Sequence, residues 1–252
     1  MSSEQKIFEL RTPKPCIGDM MQGVILAGGY GKRLMPITAT IPKSMVEIAG
    51  RPIIEWEMLW MRHFGVRSFL ILAGYRKEKL IEYTTALAKR LSVEVDFSIE
   101  KEPLGTAGAL KNAAGQIDGD EFYVTNGDHV IDIDIGRLRL EKELACIALK
   151  PLTVHGGVVK MDDRMITEFV ESPLLKEVYI NAGVYLLKHE LLERLPEKGD
   201  IEKTVFPELA KQRLISAVKY ETGYFRDVTT IKDIDEMSRE VTAREIYERM
   251  SK

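Results

Sequence analysis

Residues 22 to 52 read QGVILAGGYGKRLMPITATIPKSMVEIAGRP, and this stretch determines the expected fold. It begins with a short apolar run, residues 23–27, which is followed by three glycines, Gly28, Gly29 and Gly31. An apolar run of this length bounded by glycines is typical of a buried parallel strand. The glycines allow backbone N–H groups to approach a ligand closely. The stretch therefore predicts a strand followed by a phosphate-binding loop.

Three cations follow these glycines: Lys32 and Arg33 directly, and Lys43 ten residues after Arg33. Cations in this position suit a polyphosphate. Two common phosphate-binding motifs are excluded, because a P-loop would need glycine where Leu26 stands, and a dinucleotide fingerprint would need glycine or alanine where Leu34 stands. Glycines alone would favour an ordinary turn, but the added cations favour nucleotide binding.

Composition narrows the classes of protein that fit. The chain has 252 residues, 45% of them hydrophobic, which is enough for one large domain or two small ones. A net charge of −3 gives no support to a general role in nucleic-acid or membrane binding. No apolar run approaches the ~20 residues of a membrane span. Cys16 and Cys146 lack metal-type spacing and fit a reducing compartment. We expect a cytoplasmic protein.

Apolar strands alternate with amphipathic helices in the first half of the chain. Strands are predicted at residues 23–27, 69–73, 93–97, 122–125 and 145–149, and helices at residues 52–64 and 77–91. This alternation predicts an α/β fold with a Rossmann-like, mostly parallel central sheet flanked by helices. Beyond it, the pattern predicts a hairpin over residues 157–169, a long strand over 178–187 and one closing helix over 231–250.

The segments AGGYGKRLMPIT and IPKSMVEIAGRPIIEW resemble the signature of the sugar nucleotidyltransferases, which usually reads GGxGTRLxPLT followed by PKPLxPVxxKP. Lys32 stands where threonine is usual and Ser44 where proline is usual, and neither change removes a phosphate-binding cation. The resemblance covers residues 21–237 and implies a GT-A-like nucleotidyltransferase domain. It implies nucleotide contacts from Leu26, Ala27, Gly28, Gly29, Gly31 and Lys32.

A second segment, EPLGTAGAL at residues 102–110, combines a glycine turn with Thr106 as a predicted helix N-cap. It resembles the family's second signature, which is commonest in the mannose-1-phosphate guanylyltransferase branch. The resemblance implies that this loop faces the nucleotide base. It therefore adds Glu102, Gly105 and Thr106 to the expected nucleotide site.

Asp128 follows the predicted strand at residues 122–125. The C-terminal ends of parallel strands are where α/β sheets bind ligands, and a carboxylate there suits Mg²⁺ whose other ligands are phosphates. A lone aspartate in a turn is usually only a turn former. The resemblance to the family's metal motif favours the metal role here.

Asp227 matches the family's second metal aspartate within GYFRDVTT, although Phe225 and Thr229 replace a usual tryptophan and glycine. The resemblance thus implies Mg²⁺ as cofactor, held by Asp128 and Asp227. With Arg33 and Lys43, these aspartates form the implied catalytic set.

Residues 152–222 are expected to form a small mixed β subregion for the sugar phosphate. Asn181-Ala182-Gly183 matches the family motif that contacts the sugar, and DIEKTVFPEL at residues 200–209 resembles another family motif. The implied sugar-phosphate ligands are Asn126, Gly127, Glu171, Asn181, Glu202 and Lys203. Ser172 stands where the family has a lysine, and Lys203 is our candidate to replace that cation; exposed helix charges are the alternative for Glu202 and Lys203.

The implied reaction joins an NTP and a sugar 1-phosphate to give an NDP-sugar and pyrophosphate. A phosphate monoester with a second pKa of about 6 is largely a dianion at neutral pH and can attack unaided, so no protein nucleophile is needed. GTP with mannose 1-phosphate is favoured. Alternatives are glucose 1-phosphate with UTP or dTTP, heptose 1-phosphate, phosphocholine or a molybdenum cofactor precursor as acceptor. A catalytically silent regulatory paralogue is a further alternative.

Residues 1–20 are polar and match nothing in the resemblance. We interpret them as an N-terminal extension, a kind of segment that is often poorly ordered. Residues 21–252 are expected to form a single catalytic domain. The expected partners are the two small-molecule substrates, and because the family varies in oligomeric state, a homo-oligomer stays open.

Overall fold

The computed structural model of the chain describes residues 21–154 and 156–251, so the expected N-terminal extension lies outside the described residues. The strands are β1 (Gln22–Ala27), β2 (Glu47–Ile48), β3 (Arg51–Pro52), β4 (Ser68–Ala73), β5 (Glu94–Ile99), β6 (Glu121–Asn126), β7 (His129–Ile131), β8 (Ala145–Thr153), β9 (Gly157–Asp162), β10 (Met165–Glu171), β11 (Leu174–Lys188), β12 (Ile215–Lys219) and β13 (Phe225–Asp227). The α-helices are α1 (Ile53–His63), α2 (Lys77–Leu91), α3 (Gly105–Ala113), α4 (Ile201–Thr204), α5 (Phe206–Lys211), α6 (Ile231–Ala243) and α7 (Ile246–Met250).

The central sheet has seven strands in the order β12-β8-β11-β6-β1-β4-β5. Only β11 in this sheet runs antiparallel to its neighbours, β6 and β8. The strands β6, β1, β4 and β5 are parallel, which confirms the predicted mostly parallel sheet. The chain builds outward from β1 through β4 to β5 and then returns to place β6 on the other side of β1. Ligands bind at such a switch point, beyond the C-terminal ends of the strands.

Successive side chains of β1 enter two separate cores, one on each face of the sheet. Ile25 packs with α1, α2, α6 and α7, whereas Val24 packs with α3, α4 and α5. Both faces are therefore covered, as expected for strands that read as continuous apolar runs. Within the first core, the fully buried Trp60 donates its Nε1–H to the Ile133 carbonyl at 2.8 Å. In the described part of the chain, no helix is long and apolar enough to cross a membrane.

Two predicted elements differ from the structure. The closing helix is broken into α6 and α7, because Glu245 adopts a left-handed backbone conformation with φ of 51° and interrupts the helical hydrogen bonds. The predicted strand at residues 178–187 begins earlier, as β11, and pairs with both β6 and β8. The predicted hairpin is present as β9 and β10, and every residue of both strands is exposed.

Helix α3 packs backbone to backbone against residues 197–199. Gly105 has φ of +76°, and a Cβ added there would lie 2.5 Å from the Gly199 carbonyl oxygen. A Cβ at Gly108 would lie 2.6 Å from the Glu197 carbonyl oxygen. The Ala107 amide donates to the Gly199 carbonyl at 2.9 Å. The two motif segments around residues 102–110 and 200–209 are therefore held together by this contact.

Gly108→Ala is expected to lower the free energy of unfolding by about 1–3 kcal/mol, because the new methyl group meets fixed backbone. The measurement is urea unfolding followed by the fluorescence of the buried tryptophans. Gly115→Ala is the matched control, since a Cβ there meets nothing within 4 Å. Equal stabilities for the two variants would contradict the packing argument.

Candidate active site

A cavity of about 300 Å³ lies at the C-terminal ends of β1 and β6. Its lining includes most of the residues predicted to bind nucleotide, namely Leu26, Ala27, Gly28, Gly29, Gly105 and Thr106. Asn126 and Gly127, predicted to contact the sugar phosphate, line the same cavity. The structure thus brings three separate sequence segments to one edge of the sheet.

A second cavity of about 350 Å³ lies beside the first. It contains the remaining predicted residues of the phosphate loop and catalytic set, namely Gly31, Lys32, Arg33, Lys43, Asp128 and Asp227. Lys43 and Asp128 line both cavities, so the two spaces meet at this pair. Lys32 and Arg33 are exposed and form no ion pair with an acidic side chain in the described ranges.

The two aspartates reach the same place through the short ladder of β7 and β13. Asp227 is the register partner of His129, the residue after Asp128. The Val228 amide also donates to the Asp128 carbonyl at 2.9 Å. Thr229, where the family has glycine, donates its hydroxyl to Asp227 Oδ2 at 2.8 Å. Residues that are 99 positions apart in sequence are thereby fixed beside one another.

Lys43 Nζ lies 2.7 Å from Asp128 Oδ2, and this ion pair is only partly exposed. Although burial alone would raise the pKa of the Asp128 carboxyl, His129 and Lys43 hold it well below its usual range. Asp128 is therefore an anion at any physiological pH. An ionised carboxylate is the form that a divalent cation requires.

A buried polar layer lies directly beneath Asp128. His129 Nε2 lies 3.3 Å from Glu57 Oε1, and the Thr125 hydroxyl donates to Glu57 Oε2 at 3.0 Å. Burial raises the pKa of Glu57 to about 7. Burial alone would lower the pKa of His129, but the Glu57 and Asp128 carboxylates raise it above the usual range. Sequence reasoning assigned no role to His129 and did not identify Glu57.

Glu100 is a cavity residue that sequence reasoning missed. It directly follows β5, and its Oε2 accepts the Leu104 amide at 3.0 Å. A Cβ added at Gly28 would clash with Glu100 Oε1, so this oxygen lies over the glycine loop. Burial raises the pKa of the Glu100 carboxyl. The predicted Glu102 instead has a side chain that is 68% exposed and lies 3.6 Å from Lys198.

The sequence predicted Thr106 as the N-cap of α3, and this prediction is wrong. The cap position is Leu104, and Thr106 lies in the first turn of the helix. Its Oγ1 accepts the Ile201 amide at 2.8 Å and donates to Glu202 Oε2 at 2.8 Å. The Thr106 hydroxyl is therefore engaged by the first backbone amide of α4 and not by an amide of its own helix. Such a long-range contact leaves no signal in the local sequence.

The predicted sugar ligands Asn181 and Glu202 belong to the same hydrogen-bond network. The Tyr185 hydroxyl donates to Glu202 Oε1 at 3.0 Å and accepts from Asn181 Nδ2 at 2.8 Å. Tyr185 is fully buried on β11 and was not identified from the sequence. Through Thr106, the network joins the expected base loop to the expected sugar motifs.

Lys203 and Glu171 lie at the surface and line neither cavity. The Lys203 side chain is 79% exposed and forms an ion pair with Asp200 at 2.6 Å. Glu171 ends the exposed hairpin and accepts from the Ser172 hydroxyl at 3.4 Å. Lys203 therefore does not supply a cation inside either cavity in place of the missing family lysine.

Two buried polar atoms on the wall of the first cavity lack a hydrogen-bond partner among the described residues. They are Ser44 Oγ and Asn126 Oδ1. Buried polar atoms are nearly always paired, so these two are exceptions. Both atoms are inaccessible to solvent and do not face the cavity space.

The donor set at the junction of the cavities fits Mg²⁺. Mg²⁺ usually takes one or two carboxylates and completes its octahedron with water and substrate phosphates. Asp128 and Asp227 supply two carboxylates, and no group of three or more His, Cys, Asp or Glu suited to a metal occurs in the parts of the chain that the structure describes. A metal bound here would therefore take its remaining ligands from water or a phosphate substrate.

Comparison with protein families gives a match over residues 22–244 to the family described as nucleotidyl transferase. The chain belongs to this family. The match covers both cavities and both aspartates, and it confirms the family that the sequence motifs resemble.

Among curated relatives, the catalytic subunit beta of mannose-1-phosphate guanylyltransferase from Drosophila melanogaster is 33% identical over 230 residues, covering 87% of this chain and 62% of the relative. The chain thus spans less than two thirds of the length of this relative. The D-glycero-alpha-D-manno-heptose 1-phosphate guanylyltransferase of Campylobacter jejuni is 33% identical over 218 residues, covering 84% of this chain and 96% of that protein.

Among solved structures, HddC from Yersinia pseudotuberculosis complexed with GMP-PN has a TM-score of 0.68 and 29% identity, covering 88% of this chain and 99% of that one. A UDP-glucose pyrophosphorylase complexed with UDP-glucose has a TM-score of 0.69 at 20% identity. The second similarity supports the fold alone, and it agrees with the predicted α/β architecture.

Arg33→Ala is expected to weaken the binding of a nucleoside triphosphate about 10–100-fold, because it removes an exposed cation that suits a phosphate from the second cavity. Lys203→Ala removes the same charge outside both cavities and is expected to change the dissociation constant less than about twofold, like most exposed contacts. Isothermal titration calorimetry with GTP measures the dissociation constants of both variants and of the parent chain. A larger effect of Lys203→Ala than of Arg33→Ala would contradict the placement of the phosphates.

Proposed function

We propose that the chain transfers a guanylyl group from GTP to a manno-configured sugar 1-phosphate, with mannose 1-phosphate favoured, giving a GDP-sugar and pyrophosphate. The observation that carries this proposal is the meeting of two cavities at Lys43 and Asp128. One cavity has the glycine loop and the base loop, and the other has exposed cations. The guanylyltransferase names of the relatives support the choice of GTP.

In this proposal the nucleotide lies along the loop after β1. Backbone N–H groups of Gly28–Gly31 and the side chains of Lys32 and Arg33 neutralise the β- and γ-phosphates that leave as pyrophosphate. Lys43, at the junction, contacts the α-phosphate. Negative charge is thereby screened by groups that are already in place, so little reorganisation is needed when the bond forms.

The acceptor phosphate is the nucleophile and approaches the α-phosphorus from the side opposite the pyrophosphate. Asp128 and Asp227 would hold Mg²⁺, which would supply charge screening at the phosphate oxygens. Asn126, which lines the first cavity, hydrogen-bonds the sugar. Asn181 and Glu202 line neither cavity and support its wall through their hydrogen bonds to Tyr185 and Thr106. The protein acts by alignment and charge screening, as is usual for phosphoryl-group chemistry.

The position of Glu100 favours guanine over adenine and cytosine. An ionised carboxylate only accepts hydrogen bonds, and guanine offers adjacent N1–H and N2–H donors. The corresponding edges of adenine and cytosine carry a ring-nitrogen acceptor that a carboxylate would repel. Glu100 Oε1 faces the glycine loop while Oε2 is held by the Leu104 amide, so the carboxylate is anchored at the cavity wall.

Glu100→Gln is expected to reduce the preference for GTP over ATP about 10–100-fold, because an amide both donates and accepts hydrogen bonds. The ratio of kcat/KM for the two nucleotides measures this preference. Glu102→Gln makes the same change two residues away on an exposed side chain and is the control, with no change in the ratio. An unchanged ratio in Glu100→Gln would show that other groups select the base.

The experiment that tests the proposed function is pyrophosphate release by the purified chain with Mg²⁺. The panel combines GTP, ATP, CTP, UTP and dTTP with mannose, glucose and heptose 1-phosphates and with phosphocholine. Release with GTP and a manno-configured acceptor supports the proposal. Pyrophosphate release only with another pair would mean that the proposed substrates are wrong. No pyrophosphate release with any pair, while nucleotide still binds, would favour a regulatory role.

Asp128→Asn and Lys43→Ala are each expected to lower turnover at least ~100-fold in that assay, because each removes one preorganised charge at the reacting phosphates. Circular dichroism and the unfolding midpoint confirm that each variant is folded. Near-normal turnover in folded, Mg²⁺-saturated Asp128→Asn would contradict the metal assignment.

A further inference from the structure

Helix α1 carries two buried carboxylates, Glu55 and Glu57, two positions apart. Glu55 is 2% exposed and Glu57 is 1% exposed. Burying a carboxylate is costly unless it is paired and hydrogen-bonded. Glu55 has partners at both oxygens, whereas Glu57 is hydrogen-bonded only at Oε2, and its Oε1 has no hydrogen-bond partner among the described residues.

Glu55 is held by groups remote from the cavities. Its Oε1 lies 3.1 Å from Arg51 and 2.9 Å from Arg90, and its Oε2 accepts the Tyr83 hydroxyl. Arg90 and Tyr83 belong to α2, so these contacts fasten α1 to α2. None of these residues lines either cavity, and their role is structural.

Glu57 has no lysine or arginine partner within ion-pair distance among the described residues, and its contacts lead toward the site. The Thr125 hydroxyl has one proton, which it donates to Glu57 Oε2 at 3.0 Å. The Thr125 oxygen is then available to accept from His129 Nε2, which lies 3.2 Å away, when that nitrogen carries a proton. With Nε2 directed at Thr125 and Glu57, the ring places Nδ1 3.8 Å from Asp128 Oδ1.

Asp128 thus has a charged neighbour on each side: Lys43 hydrogen-bonds Oδ2 at 2.7 Å, and the His129 ring lies within ionic range of Oδ1. Stability alone gives no reason for the layer beneath it, because apolar side chains of similar volume often replace a buried charged pair without loss. Outer partners of metal-ligating side chains, in contrast, orient the ligand and tune its affinity.

We propose that Glu57 is a positioning residue, which holds the His129 ring and through it fixes Asp128 in the orientation that receives the metal. The inference rests on the proposed function, which assigns Mg²⁺ to Asp128 and Asp227. Glu57 itself lines neither cavity and acts on the site only through His129 and Thr125.

The test is Mn²⁺ binding to the full chain in the presence of a non-hydrolysable GTP analogue, without a sugar phosphate. Free Mn²⁺ is counted by electron paramagnetic resonance, so the readout is affinity and not turnover. Glu57→Gln is expected to weaken Mn²⁺ binding about 10-fold or more, the usual scale for losing an outer-shell partner. His129→Gln is expected to weaken it to a similar extent.

Glu55→Gln is the matched control, with the same substitution on the same helix. It is expected to lower the unfolding midpoint while Mn²⁺ affinity stays within twofold. In a His129→Gln background, Glu57→Gln is expected to change the affinity less than threefold, because residues that act through one link are not additive. Should Glu57→Gln not fold, Thr125→Val removes the hydroxyl that connects the carboxylate to the ring and is expected to weaken Mn²⁺ binding.

Two results separate this inference from the proposed function. Mn²⁺ binding that is lost in Asp128→Asn but unchanged in folded Glu57→Gln would overturn the inference alone. Mn²⁺ binding that Asp128→Asn leaves unchanged, or no binding by the parent chain, would overturn the metal assignment and the inference with it. Equal weakening by Glu55→Gln and Glu57→Gln would also overturn it, because the effect would then be one of general stability.

Discussion

Parallel pairing of β1 with β4 on one side and β6 on the other is the constraint on which the rest of the structure depends. All three strands end at the same edge, so the glycine loop after β1 and the aspartate segment after β6 must lie together. The amide of Gly127 donates to the carbonyl of Leu26 at 2.9 Å and continues this pairing into the site. Lys43 then meets Asp128 because both segments are fixed by the same sheet edge.

The electrostatics of the site follow from its position between solvent and core. On the open side, Lys32 and Arg33 extend into a cavity with no acidic partner in the described chain, which leaves positive charge available to an anion. On the buried side, Glu57 and His129 form a polar layer that the apolar core surrounds. Asp128 lies between these two environments and is kept ionised by both Lys43 and His129.

The sequence was sufficient for the fold because the strands read as apolar runs bounded by glycine and polar residues, a pattern that a buried parallel sheet requires. Gly28, Arg33 and Asp128, which were predicted as site residues from motifs on single loops, line the cavities. Sequence reasoning missed Glu57 and Glu100, because their roles depend on which strand ends and helix faces meet in three dimensions. Charges in motif positions can still be surface groups, and Lys203 shows this.

Two local predictions, an unbroken closing helix and a helix cap at Thr106, differ from the structure. A periodic pattern continues through Glu245, but one left-handed residue is enough to end α6, and nothing in the local pattern marks it. Threonine is a common helix N-cap, yet the Thr106 hydroxyl instead accepts a hydrogen bond from the Ile201 amide. For Thr106, a tertiary hydrogen bond overrides the local preference of the side chain for a cap position.

The network from Thr106 through Glu202 and Tyr185 to Asn181 has a consequence for redesign of this molecule. Both oxygens of Glu202 already accept protein hydrogen bonds, and the hydroxyl of Thr106 also receives the Ile201 amide. A substitution at Thr106, which lines the first cavity, would leave the Ile201 amide and one Glu202 carboxylate oxygen unpaired behind the cavity wall. Changes at Thr106 and at the segment around Asn181 and Glu202 therefore have to be designed together in this chain.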